Sequence, residues 1–180
     1  DFVIEHFGAG GDKYLGGENI LELLAFEVFK KNQNILRKEK ISFELPPQCH
    51  EFLGSEVLLN ESREAKLNML NLIDKLRPFW EREDFKEAIF KEKLSVNLYD
   101  NDGVMKSEIS LKIDEKELLA ILKVRIKKGV DAFFENLREV FSNYAKDINL
   151  DVDEINIFLA GNSSKSPLVK ELFDKKINAT

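Results

Sequence analysis

Three stretches of this chain combine residue types and spacing that could do chemistry. The first is I-N-I-F-L-A-G-N-S-S-K-S-P-L-V-K-E-L-F, Ile155 to Phe173. Its apolar start suits a strand buried on both faces, and Ala160 and Gly161 end that strand. Ser166 offers a hydroxyl N-cap, Pro167 fills the first helical turn, and Leu168, Val169, Leu172 and Phe173 follow at helical spacing. Free backbone N–H groups and the positive end of a helix dipole then face a loop of small residues, a seat for a phosphate or the edge of a nucleotide. The same residues also read as an ordinary strand-loop-helix connection. The second stretch is the loop Gly8 to Gly17, half glycine. A dinucleotide fingerprint begins at Gly8 and Gly10 but meets Lys13 at its sixth position, and no Walker pattern is present. The third is Cys49 beside His50, a nucleophile and a base in name. Sequence neighbours rarely face one another and no third orienting group is evident, so no catalysis is assigned to the pair.

Composition excludes several classes. A net charge of −6 and a pI near 5.2 argue against binding a phosphate backbone without sequence preference, so nucleic acid is not an expected partner. One cysteine and two histidines cannot build a disulfide framework or a Cys/His zinc site, and no metal ligand set is assigned. A reducing, cytoplasmic setting follows from that reading. No apolar run approaches the roughly 20 residues that span a bilayer, so no membrane is expected. The chain starts without methionine on strand-like residues, and the expectation is a fragment of a longer protein.

The positioning elements come next. Asp1 to Phe7 reads as a strand. From Glu18 to Lys31 the spacing of Ile20, Leu21, Leu24, Ala25 and Val28 predicts a helix with acidic residues at its start and lysines at its end. Between Asn32 and Asn60, broken by Pro46-Pro47, a short extended piece and then a ragged helix are expected. Ser62 caps a predicted helix from Arg63 to Arg77, with Leu67, Met69, Leu70, Ile73 and Leu76 as its stripe and Pro78 as its stop. Phe79 and Trp80 are read as core. Leu94, Val96 and Leu98, the turn Asp100 to Gly103, and Ile109, Leu111 and Ile113 predict a β-hairpin; the D-N-D-G is a solvated turn, not a calcium loop. Asp114 and Glu117 form a capping-box pattern opening the longest helix, with a kink or a domain joint expected at Gly129. Lys123 to Lys128 reads as a solvated basic face, although a ligand-facing role for one lysine stays open.

Taken together, four pieces of the chain resemble the second half of the ATPase domain of DnaK-type, seventy-kilodalton heat-shock chaperones, in the actin-like superfamily. G-D-K-Y-L-G-G-E-N-I (Gly11 to Ile20) is similar to the family's G-D-T-H-L-G-G-E-D-F. R-E-A-K-L (Arg63 to Leu67) resembles E-R-A-K-R, on the helix that carries adenosine contacts. K-K-G-V-D (Lys127 to Asp131) resembles R-G-T-L-D, and I-F-L-A-G-N-S-S-K-S-P (Ile157 to Pro167) resembles I-L-V-G-G-S-T-R-I-P. The departures are Ala160 for a glycine, Lys165 for an arginine, Arg63 at the glutamate and Leu67 at an arginine.

The resemblance implies a mixed α/β fold, an actin-like ATPase lobe whose ribonuclease-H-like layer (residues 1–15 and 124–180, incomplete) holds an inserted α+β subdomain (16–123). It further implies ATP or ADP with Mg²⁺ as ligand of the full-length parent, none of it tightly bound to the fragment, with Gly16, Gly17, Lys66, Gly161, Asn162, Ser163 and Lys165 lining one wall of the cleft. The catalytic groups would lie upstream, so no catalytic residue is assigned here and the fragment alone would be inactive. Expected partners are the missing N-terminal lobe, client or co-chaperone proteins, and a second copy pairing through an exposed sheet edge. The alternative is a catalytically inactive actin-like scaffold or interaction module. A sugar-kinase-like or plasmid-segregation member of the superfamily is a further one.

Overall fold

A computed structural model describes residues 12–147, 156–159 and 162–178. The predicted strand Asp1 to Phe7 and the glycines before Asp12 lie outside them. Element order is α1 (Gly17–Lys31), α2 (Gln33–Lys38), α3 (Arg63–Trp80), β1 (Lys93–Tyr99), β2 (Met105–Lys112), α4 (Glu115–Asp147), a short 3-10 turn (Asn162–Lys165) and α5 (Pro167–Ile177). The chain is therefore mixed helix and strand, its one sheet a two-stranded antiparallel hairpin among the described residues. It divides into two compact units, Gly16–Leu122 and Asp1–Leu15 with Lys123–Thr180.

In the first unit α1 buries every residue of its expected stripe and also Phe26 and Phe29. Phe29 meets Phe43 at 5.4 Å between ring centroids, and Phe52 lies 6.1 Å from both Phe26 and Phe29. These rings recruit the irregular segment after α1 to the core. The extended piece exists around Phe43, which pairs with Leu59 in an isolated parallel bridge. The ragged helix after the prolines does not. Instead the Ser55 hydroxyl donates to the Phe52 carbonyl (2.7 Å) and accepts the Phe52 N–H (3.0 Å), closing a turn that competes with helix, and Gly54 adopts φ +87°.

Helix α3 begins as expected: the Ser62 hydroxyl accepts the Ala65 N–H at 3.1 Å. Its end does not, for Pro78 sits inside the helix, which runs on to Trp80. A proline so near the end sacrifices a single backbone bond, and the burial of Phe79 and Trp80 offsets that loss. The buried stripe is Ala65, Asn68, Met69, Leu72, Ile73, Leu76, Phe79 and Trp80; Leu70, expected in it, is 55% exposed. Arg77 near the end of α3 grips Glu18 at the start of α1 through two bonds of 2.7 and 3.2 Å, so these helices run antiparallel.

The hairpin turns Leu94, Val96 and Leu98 inward, packing β1 on α3. An extra residue in β2 forms a bulge at Glu108 (φ 56°), whose N–H donates to the Asn97 side chain. Two buried asparagines fasten the strands to the helices. Asn68 of α3 accepts the Tyr99 N–H (2.6 Å) and donates to the Tyr99 and Ser42 carbonyls (2.8 and 2.9 Å). Asn32, after α1, accepts the Lys112 N–H (2.7 Å) and donates to the Lys112 and Val28 carbonyls (2.8 and 2.7 Å). A side-chain amide carries the donor and acceptor of a peptide group, so each asparagine stands in for one residue of a third strand.

Helix α4 opens on half a capping box. Asp114 accepts the N–H groups of Lys116 and Glu117, while the Glu117 side chain turns to Lys31. Helical structure runs through Gly129 from Glu115 to Asp147 with no break there. Gly129 is instead a packing requirement of the second unit, since a Cβ on it would stand 2.4 Å from Leu15 Cδ2. In that unit the Asp12 carboxylate accepts from Arg125 at 2.7 Å, and Phe173 of α5 packs on Phe133 and Phe134 at 5.4 and 5.9 Å.

The predicted strand at Ile155 to Leu159 is corrected. Asn156 to Leu159 has no regular structure, and Phe158 is 89% exposed. A strand is defined by the neighbour that accepts and donates its backbone bonds, and among the described residues of this unit there is none. The ribonuclease-H-like layer expected here is thus not seen among the described residues.

Candidate functional site

Gly16 and Gly17 stand at the start of α1, where Gly16 is the N-cap at φ −63°. This φ is open to any residue, so conformational freedom is not why glycine stands there. A Cβ on Gly16 would instead approach Asn19 Oδ1 to 3.2 Å. No side chain caps the helix. Its first turn is already electrically occupied, because Glu18 brings a carboxylate to the positive end of the dipole and Arg77 holds that carboxyl below its usual range.

Lys66 lies in the first turn of α3, half exposed, its ammonium 3.8 Å from Glu44. Because α1 and α3 are antiparallel and Arg77 marks the end beside Glu18, Lys66 is about 16 Å further along α3, at 1.5 Å per residue. The structure does not bring Lys66 together with Gly16 and Gly17. Chain order could not have revealed this, since the separation depends on the helix pairing.

Gly161 lies outside the described residues. Asn162, Ser163 and Lys165 share the 3-10 turn leading into α5, with Lys165 exposed. The expected cap by the Ser166 hydroxyl does not form: its carbonyl accepts the Val169 N–H at 3.1 Å, the donor a capping hydroxyl would have met, and Ser166 Oγ is buried without a partner among the described residues. Around the K-K-G-V-D segment, Lys127 pairs with Asp131 at 2.5 Å and Lys176 reaches the same carboxylate at 2.7 Å. Arg125, from the basic run, is spent on Asp12, whose carboxyl it holds below the usual range.

Cys49, His50 and the D-N-D-G turn complete the chemistry-bearing residues singled out in the sequence. Burial pushes the Cys49 thiol up to about 11, which removes thiolate character at neutral pH, and His50 is exposed. The Asp100 carboxylate accepts the N–H groups of Val104 (2.8 Å) and Asp102 (3.0 Å) and meets Lys106 at 3.1 Å, so the D-N-D-G turn holds itself together. No group of three metal-ligating side chains occurs among the described residues.

Sequence reasoning missed one polar cluster. Arg82 is sandwiched by Phe79 and Phe85, its guanidinium carbon 4.4 and 4.2 Å from their ring centroids, and reaches Glu115 at 3.2 Å; Glu115 also accepts the N–H groups of Ile89 (2.6 Å) and Phe90 (2.5 Å). This cluster ties the loop after α3 to the start of α4. Its only signal was aromatic residues bracketing an arginine. No family model matches the chain, and no curated protein or solved structure matches it.

Proposed function

We propose that this chain is a lobe of a DnaK-like, actin-like ATPase, forming in the full-length parent one wall of a cleft for ATP or ADP with Mg²⁺. The observation that carries this reading is the order of four motifs along the chain. Its support is their local settings: L-G-G-E at the entry of α1, R-E-A-K-L on the first turn of capped α3, K-K-G-V-D within α4, and N-S-S-K-S-P at the turn into α5.

In this reading Gly16 and Gly17 let the backbone of the α1 entry approach the ligand, Gly161, Asn162 and Ser163 line the facing wall, and Lys66 and Lys165 supply positive charge. The magnesium-bound phosphates would be held chiefly by the other lobe, and clients or co-chaperones would read the nucleotide state. The deciding experiment titrates ATP and ADP against the parent and against Gly161→Val, with circular dichroism showing the fold intact. Affinity lost in the variant supports the reading; unchanged affinity removes this loop from the site. The chain alone is expected to release no phosphate from Mg·ATP above a buffer blank.

The second reading is an inactive scaffold or protein-interaction module. Two observations favour it: Lys66 is engaged by Glu44, and Arg63 and Leu67 replace the charges expected on an adenosine-facing helix. In this case neither nucleotide binds the parent.

A further inference from the structure

At the open end of the hairpin lies a solvent-open cleft of about 710 Å³. Lysine dominates its lining: Lys31, Lys91, Lys93, Lys112 and Lys116, with Glu92, Asp114 and Glu115 the acidic residues. These acids balance the lysines only in part. Asp114 is 3.6 Å from Lys31 and caps α4, and Glu115 is committed to Arg82 and two backbone N–H groups. Lys31 is in turn held by Glu117. Among the described residues no carboxylate pairs with Lys91, Lys93, Lys112 or Lys116, so four ammonium groups face Glu92 and the one negative charge that Lys31, shared by Asp114 and Glu117, leaves over, an excess of positive charge in a chain whose net charge is −6.

The hairpin register sharpens the point, because Lys93 stands directly opposite Lys112. Like charges opposed across an antiparallel ladder are destabilising, and one lysine with a glutamate would protect a strand edge equally well. Lys91 adds a third charge from a backbone at φ 26°. We propose that this cleft binds a linear polyphosphate, either free or as the phosphate chain of a nucleotide. Lysine presents compact point charges without the fixed fork that selects a planar carboxylate, and a single carboxylate would leave part of this excess charge unneutralised. Lys93 and Lys112 would grip the chain from both strands, with Lys91 and Lys116 at its ends. This site is separate from the residues of the proposed ATP cleft and does not rest on that reading.

The test is a titration of the whole chain with tripolyphosphate, followed by amide shifts at residues 91–93 and 112–116. Saturable shifts at about 50 mM salt that weaken strongly by about 200 mM are expected. Lys93→Gln with Lys112→Gln should weaken binding about tenfold or more, while the ligand-free variant melts no lower than the parent chain, since a repulsion has been removed. ATP as a second arm distinguishes the sources: affinity equal to tripolyphosphate means the phosphate chain alone is read, and higher affinity means a nucleotide is. Absence of shifts at those amides at low salt, or equal affinity in the double variant, overturns the proposal, as does a lower melting temperature of the ligand-free variant.

Discussion

The two units of this protein are held together by different means. Gly16–Leu122 has a thick apolar core, and its hairpin is fixed by side-chain amides that bond backbone groups of Ser42, Tyr99 and Lys112. In the described part of the other unit, Ile126, Val130, Leu168 and Phe173 are the buried apolar side chains, and the rest is ring packing and ion pairs around α4 and α5. Val124 and Phe158 are 71% and 89% exposed. Directional bonds from buried amides specify a single register; helix packing through flexible aliphatic and aromatic side chains tolerates adjustment. The first unit should therefore be brittle and the second forgiving.

Asn68→Ala tests the brittle side and has the largest expected effect. It strands the Tyr99 N–H and two carbonyls in a buried setting, and about 3 kcal/mol of stability should be lost. Trp80, the one tryptophan, is buried in this unit and reports its unfolding by fluorescence. If the Phe133 and Phe173 ring resonances collapse at the same denaturant concentration as the Trp80 signal, the contrast between the units is wrong.

Gly129→Ala tests the forgiving side. The added Cβ collides with the end of Leu15, a movable side chain, so the overpacking cost and the helical gain of alanine should leave a net loss of about 1 kcal/mol. Adding Leu15→Ala should change that penalty by a non-additive amount in a double-mutant cycle. Additive behaviour would mean that Leu15 does not pack there.

Ser62→Ala removes the α3 cap and should cost about 1 kcal/mol by urea denaturation followed at Trp80. A cost near zero would show that burial of Asn68 and its neighbours alone fixes the start of α3. The smallest effect concerns acid. The Arg125 hydrogen bond lowers the Asp12 carboxyl in the folded chain, so its contribution is complete above about pH 4 and is lost as pH falls through the lowered folded value. Asp12→Asn should flatten the acid limb of the second unit's stability profile, leaving Trp80 unaffected.

Legibility in the sequence followed the range of the interaction. The α1 stripe, the Ser62 cap and the hairpin are local patterns within a few residues, and each formed. Pro78 was read locally as a stop, yet the burial of Phe79 and Trp80 overrode it. Asn156 to Leu159 had the composition of a buried strand, but composition cannot supply a neighbouring strand. The Ser166 cap failed because two acceptors on one residue compete for one donor, a choice that spacing does not encode. At the candidate site the residue types were legible and their grouping was not: Lys66 and Gly16 are separated by an antiparallel packing of α1 on α3 that no motif records.

The asparagine clamps also bear on self-association. A two-stranded hairpin has two outer edges, and each presents unpaired N–H and C=O groups at every second residue, an invitation to another chain. On β1 those positions include Asn97, whose carbonyl accepts from Asn71 at 3.0 Å, and Tyr99, whose N–H and carbonyl are both taken by Asn68. On β2 Lys112 is taken by Asn32, and the bulge at Glu108 interrupts the ladder. The amides that fix the hairpin thus also deny it a partner, and a chain losing them would expose a template for intermolecular β-pairing while its helices were still folded. Fibril nucleation, more than loss of secondary structure, is where that loss would first be felt.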